Sequence, residues 1–225
     1  MIYITGDTHG SHDIHKLSAT NFPEQKQMTK RDFVIICGDF GGVWDNSKEE
    51  LYWRKWLNDR NFTTLFVCGN HENFDLLNSY EVKNFAGGKV HFIMEDIIHL
   101  MRGQVFDING IKLFTMGGAT SIDKQYRREN ISWWKEELPS TQEYNEALDN
   151  LARYKWNVDY VITHTASMDI MKEMDYIKEN NSLNGFFDML EDELQYRHWY
   201  FGHFHNDKEV DYKHTLLYQK VIRIV

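Results

Sequence analysis

A layered α/β fold with a mixed central sheet is the class this sequence predicts, and three observations predict it. Apolar runs of three to five residues, rich in β-branched and aromatic side chains, recur at residues 2–5, 33–37, 64–68, 160–163 and 199–201. Runs this short and this apolar fit strands covered on both faces. Segments of helical apolar period lie between them, whereas the middle of the chain carries consecutive strand-like stretches around an Asn109-Gly110 hairpin signal. The 225 residues, 42% hydrophobic and 15% aromatic, suffice for one well-cored domain over residues 1–225, and two prolines leave no Pro-rich linker to divide it.

In chain order, residues 2–5 form the first strand and run straight into polar residues, unlike a signal peptide with its charged n-region and long apolar core. A helix is expected over 11–19, a strand over 33–37, and a helix over 47–58, where Leu51, Trp53, Trp56 and Leu57 share one face. Residues 64–68 are a strand and 74–80 a helix. Strands follow at 89–95, 97–101, 104–108 and 111–116, the last two joined by the Asn-Gly turn. Pro139-Ser140-Thr141 opens a helix over 141–154, with Tyr144, Leu148, Leu151 and Tyr154 along its apolar face. Residues 160–163 are a strand, 168–180 and 186–196 helices, and 199–201, 209–212 and 216–225 strands. The sheet should be parallel early and antiparallel later.

Charge narrows the function. Twenty-five basic against 34 acidic residues give a net of -9 with histidine neutral, which disfavours nucleic acid as a partner. An anionic substrate then needs a local positive source, and bound metal ions supply one. No apolar stretch approaches the roughly 20 residues that span a bilayer, and Cys37 and Cys68 are too few for a disulfide framework. A cytoplasmic protein without membrane contact is expected.

Each of the five short apolar runs ends in a polar cluster: Gly6-Asp7-Thr8-His9-Gly10, Gly38-Asp39, Gly69-Asn70-His71-Glu72, His164, and Gly202-His203-Phe204-His205. Ligands of open α/β sheets collect beyond the carboxyl ends of the strands, so parallel strands would bring all five to one edge. A lone Gly-Asp is ordinarily a turn and a lone His a surface residue; five together are not so dismissed. Asp, His and Asn donors without thiolate suit manganese foremost, or iron, zinc, cobalt or nickel. Asp7, His9, Asp39, Asn70, His164, His203 and His205 are too many for one ion. Two divalent ions sharing Asp39 use all seven and leave room for water, and two such ions clamp a phosphoryl group and acidify a bridging water. The preceding glycines allow a sharp exit from each strand and close approach to the ions.

This ordered set resembles the calcineurin-like metallophosphoesterase superfamily, whose blocks D-x-H, G-D, G-N-H-E, H and G-H-x-H all occur here in order between Asp7 and His205. The resemblance implies a four-layer β-sandwich of two mixed sheets flanked by helices. It assigns Asp7, His9, Asp39 and His205 to one metal and Asp39, Asn70, His164 and His203 to the other. It implies a phosphomono- or phosphodiesterase working by attack of a metal-bridging hydroxide. Asp39 and His71 are then the catalytic pair, His71 protonating the leaving oxygen or steadying the phosphate, and Asn70 also contacts substrate.

The chain departs from the protein Ser/Thr phosphatases of that superfamily, which carry an arginine in G-D-x-x-D-R-G; here Gly38-Asp39-Phe40-Gly41-Gly42-Val43-Trp44-Asp45 has none. The bidentate phosphate clamp is missing there, so small phosphorylated molecules or nucleotides are favoured over phosphoproteins. A phosphoprotein phosphatase, a non-catalytic scaffold and a nuclease are the alternatives. Arg127 and Arg128, in the loop after residues 111–116, are the expected substitute phosphate contacts. Trp133 and Trp134 offer stacking surfaces or core. His12 and His15 are read as exposed helix residues with a possible role near His9; Cys37 and Cys68 as small buried residues or, alternatively, a redox pair.

Overall fold

Two facing sheets, each covered outside by helices, make up the computed structural model, which describes residues 1–177 and 179–225. The first sheet contains β1 (Ile2–Thr5), β2 (Phe33–Ile36), β3 (Thr63–Phe66), β4 (Val82–Phe85), β5 (Gly88–Met94) and β6 (Ile97–Leu100), and it is closed at one edge by β13 (Val221–Arg223). Its strand order is β13-β1-β2-β3-β6-β5-β4. The second comprises β7 (Gln104–Ile108), β8 (Ile111–Met116), β9 (Tyr160–Thr163), β10 (His198–Phe201), β11 (Lys208–Glu209) and β12 (His214–Leu216), ordered β11-β12-β10-β9-β8-β7. The middle strands of both sheets run parallel and the edges antiparallel.

Alternation along the buried strands sorts the core. Ile2, Ile4, Ile35, Leu65, Val67, Leu113, Ile162 and Tyr200 form the inter-sheet layer. Val34, Ile36 and Phe66 face the opposite way, toward α1 (Lys48–Asn58) and α2 (Phe74–Leu77). Phe114, Val161 and Trp199 pack under α3 (Thr141–Arg153), α4 (Met168–Glu173) and α5 (Ser182–Glu193). The layering is helix, sheet, sheet, helix, as the resemblance implied; the single central sheet read from strand pattern alone is corrected to two. Among the described residues no helix is long and apolar enough to cross a membrane.

Other element expectations need correction. Residues 11–19 hold only a 3-10 turn, Ile14–Leu17, because the Lys16 ammonium reaches inward to the carbonyls of Gly6, Asp7 and Tyr218. The helix expected over 74–80 ends at Leu77, where the side chain of Ser79 turns back to the Leu76 carbonyl. The helix expected over 168–180 stops at Glu173 and Asp175 turns left-handed (φ 59°), while residue 178 lies outside the described residues. The helix expected over 186–196 begins earlier, at Ser182, since Asn181 and Asn184 form a capping box. The strand at 209–212 shrinks to Lys208–Glu209, and 216–225 splits into the ends of β12 and β13. Edge strand β4, largely exposed, lacks the apolar run that would have marked it.

Candidate metal centre

Strands β1, β2 and β3 of one sheet and β9 and β10 of the other all end at one rim, and the five polar clusters meet there. Two groups of donors result. Asp7, His9, Asp39 and His205 form one, and Asp39, His164 and His203 the other, the donor atoms of each lying within 4.8 Å of one another. Asp39 belongs to both. Its Oδ2 faces His9 Nε2 at 3.3 Å and its Oδ1 faces His164 Nε2 at 3.3 Å. His205 Nε2 lies 3.3 Å from Asp7 Oδ2. Asn70 joins the second group through Oδ1, 3.2 Å from His164 Nε2.

These separations fit resident cations. Donors bound at about 2.1 Å to one ion stand about 3.0–3.4 Å apart along the edge of an octahedron or tetrahedron. The buried carboxylates of Asp7 and Asp39 have no Lys or Arg against them among the described residues; Lys16 bonds the Asp7 backbone instead. Two desolvated anions side by side are costly unless cations sit with them. Burial alone would lower the pKa of His9, but the hydrogen bond and charge of Asp39, with Asp7 and Asp13, outweigh it and push the ring up to about 9. His164 is likewise pushed to about 10 against burial by Asp39 and Asp7, whereas burial and the neighbouring His164 drive His203 down to about 4. Asp7 and Asp39 thus set up a field that favours positive charge at His9 and His164.

Outer partners aim the imidazoles. His9 Nδ1 pairs with Asp13 Oδ2 at 2.9 Å, and His164 Nδ1–H donates to the Cys37 carbonyl at 2.8 Å, leaving both Nε2 atoms toward Asp39. Asp13 itself accepts from Tyr218 Oη and Gln219 Nε2, each at 3.0 Å. Asn70 Nδ2 donates to Ser121 Oγ, and Ser121 bonds Glu137 through both its hydroxyl and its backbone N–H. Glu72 accepts the Phe40 N–H at 2.8 Å and steadies the turn after Asp39; burial first, then the charge of Asp39, pushes its carboxyl up to about 8. His9, Asp39, His203 and His205 all take left-handed φ, between 41° and 71°. Strain of this kind gathers at functional sites, where surrounding contacts hold it.

Gly38, Gly69 and Gly202 prove to be space for neighbouring ligands rather than for ions, whereas Gly6 admits the Leu217 carbonyl. A Cβ on Gly69 would sit 2.0 Å from Asp39 Oδ1, and one on Gly202 2.1 Å from Asp7 Oδ1.

A cleft of about 330 Å³ opens over Asp39, Asn70, His71, His203 and His205. His71 N–H donates to Asp39 Oδ1 at 2.8 Å, which places the ring at the edge of both groups. Arg127 faces it, with Nη1 3.5 Å from the ring Nδ1, Nη2 3.5 Å from the ring Nε2, and Nε held by Asp123 at 2.8 Å. Burial lowers the His71 pKa; Asp39 works against this and Arg127 adds to it. Arg127 thus lines the cleft. Arg128 does not: the backbone is extended there, so adjacent side chains point apart, and Arg128 is exposed beyond the lining.

The remaining candidates resolve plainly. Trp134 is core, its Nε1 donating to Asp75. His12 Nδ1 lies 3.1 Å from the His9 carbonyl oxygen, and His15 meets the Trp53 ring edge-on. Cys37 belongs to the inter-sheet core and Cys68 to the helix side, so they are not a redox pair. Sequence reasoning missed Asp13, Glu137, Glu179 and Tyr218. Glu179 lines the cleft and lies 3.7 Å from His203 Nε2. None of these carries a motif; their positions emerge only from long-range packing.

Residues 1–207 match the family model described as calcineurin-like phosphoesterase. No match is found among curated proteins.

Proposed function

The chain belongs to the calcineurin-like phosphoesterase family, and from that premise we propose that it is a binuclear-metal-dependent hydrolase of small phosphomono- or phosphodiesters. The observation that carries the reading is Asp39, whose two carboxylate oxygens face two different histidine sets. Divalent ions bound there, manganese by preference, supply Lewis-acid neutralisation of the phosphoryl oxygens and water acidified toward neutral pH. Asp7, His9, Asp39 and His205 would hold one, and Asp39, Asn70, His164 and His203 the other.

The chain's own groups do the rest. Asn70, fixed by Ser121, and Arg127, fixed by Asp123, orient the phosphate over the cleft. His71 passes a proton to the departing oxygen, its imidazole protonated once the substrate's negative charge offsets burial and Arg127. Where phosphoprotein phosphatases keep an arginine, this chain has Val43, fully buried in the core on the helix side of the first sheet. Arg127 comes from another loop, and this supports a small substrate. A cytoplasmic setting is part of the reading, in keeping with the two free buried cysteines.

The test is turnover of a chromogenic phosphomonoester and its bis-ester by metal-loaded protein, with His71→Ala alongside. We expect activity on at least one ester, and a His71→Ala variant that keeps its metals yet loses most of kcat. Two bound metals with no turnover of either ester would overturn the reading.

A further inference from the structure

Two cavities border the metal-ligand groups, and the reaction above uses only the cleft over Asp39 and His71. The other, about 280 Å³, shares His9 with the first donor group. Phe40, Trp44, Trp53 and Ile14 line it, with the backbone turns at Gly10 and Gly41 between them. Its aromatic walls are held in place from behind. Phe40 stacks on Phe66, Trp44 meets the edge of Trp134, and Trp53 is braced by His15 and Trp56. A slot already rigid loses little freedom on filling.

Charge says what would fill it. Arg54, the one Lys or Arg of the lining among the described residues, is consumed: it donates to the Gly42 carbonyl, Asn46 and Tyr80, and pairs with Glu50. Glu50 in turn accepts the N–H groups of Trp44, Asp45 and Asn46. At the rim remain the exposed carboxylates of Asp45 and Glu49. A second phosphate would meet those two carboxylates at the rim, with no Lys or Arg free to pair with it among the described lining residues. Pockets for drug-sized ligands run from about 300 Å³ upward, so this volume suits one ring system and little more.

We propose that this cavity is the leaving-group subsite and takes one planar, uncharged aromatic group of nucleobase or aryl size, in a slot lined by Phe40, Trp44 and Trp53. The assignment rests on the phosphoesterase reading of the metal centre. The departing group leaves on the His71 side, and the His71 ring lies edge-to-face with that of His9, centroids 5.7 Å apart. His9 is also a wall of the aromatic cavity, so that cavity adjoins the side on which the leaving group departs. The substrates favoured are aryl or nucleoside monoesters and cyclic nucleotides rather than sugar phosphates or nucleoside polyphosphates.

The test compares wild type with Trp44→Leu and Trp53→Leu, all loaded with manganese, on phenyl phosphate and ethyl phosphate. Adenosine binding to each form is read separately by titration calorimetry. The phenyl-to-ethyl ratio of kcat/KM is expected to fall at least tenfold in each variant, and Trp53→Phe, which keeps a ring face, to recover most of it. A ratio within twofold of wild type in both Leu variants overturns the subsite whatever the absolute rates. If wild type hydrolyses neither ester, the failure belongs to the phosphoesterase reading, and the titration decides the subsite. Adenosine binding weakened tenfold in both variants supports it, and no binding to wild type overturns it.

Discussion

The ring of Tyr218 lies stacked on that of His205, centroids 5.0 Å apart and planes 23° apart, while its hydroxyl donates to Asp13 at 3.0 Å. Asp13 holds His9 by Nδ1. One aromatic residue outside every recognisable motif therefore positions two donors of the same group. Removing groups that orient metal-bound histidines typically costs 10–100-fold in metal affinity. Tyr218→Ala and Asp13→Ala are each expected to weaken manganese binding by about that factor, read by titration of metal-stripped protein. Unchanged affinity in both would show that His9 and His205 are held without them.

Arg127 and Arg128 should separate cleanly. Hydrogen bonds to charged groups are worth about 1.5–3 kcal/mol, so Arg127→Ala is expected to raise KM for a phosphomonoester by about tenfold or more. Arg128→Ala, outside the cleft lining, should leave KM within about twofold. Steady-state kinetics on the two variants check this, and equal effects would contradict the placement of the loop.

Gly69→Ala forces a Cβ to 2.0 Å from Asp39 Oδ1. Since Asp39 serves both donor groups, loss of both metals is expected, with a lower melting temperature, measured by metal analysis and thermal unfolding. Gly185→Ala is the counterpart: nothing lies within 4 Å of its added Cβ in α5. Helix propensity then favours Ala by about 0.8–1.0 kcal/mol, and a modest rise in melting temperature is expected. A fall there would mean that α5 is packed differently.

His214 gives a pH dependence remote from the metals. Burial opposes its charge, but hydrogen bonds and charges from Glu191 and Asp211 outweigh this and raise its pKa above 6.5. The folded state then binds the proton more tightly than the unfolded chain. The stabilisation is full below about pH 6.5 and is lost as pH rises through the folded value. His214→Gln should therefore lower the melting temperature more at pH 6 than at pH 9. An equal loss at both would show that the Glu191–His214–Asp211 cluster contributes only packing.

Much of the site was legible because each of five donors follows a short apolar run within one or two residues, so recognising the strands brings Asp7, Asp39, Asn70, His164 and His203 to one rim. The number of sheets was not legible from pattern. Ile35 faces a second sheet and Ile36 faces helices, yet both covers demand the same apolar side chain. Residues 11–19 misled for another reason. Their period is helical, but the Lys16 ammonium gains three carbonyl acceptors, two of them in buried contacts, only if the segment abandons that helix. Glu179 escaped because a carboxylate bonded to Thr120 N and Asn181 Nδ2 looks, in sequence, like any solvated acid on a helix.

The splitting of the final segment between β12 in one sheet and β13 in the other has a consequence in time. A chain emerging during synthesis would already carry all seven donors once His205 had been made. It would still lack Tyr218, the three β13 residues that pair with β1 beside Asp7, and the carbonyl that receives Lys16. Ions captured at that stage would meet unaimed histidines. Tight metal retention should thus come only after β13 docks on β1, so that loading the centre serves as a check on that pairing.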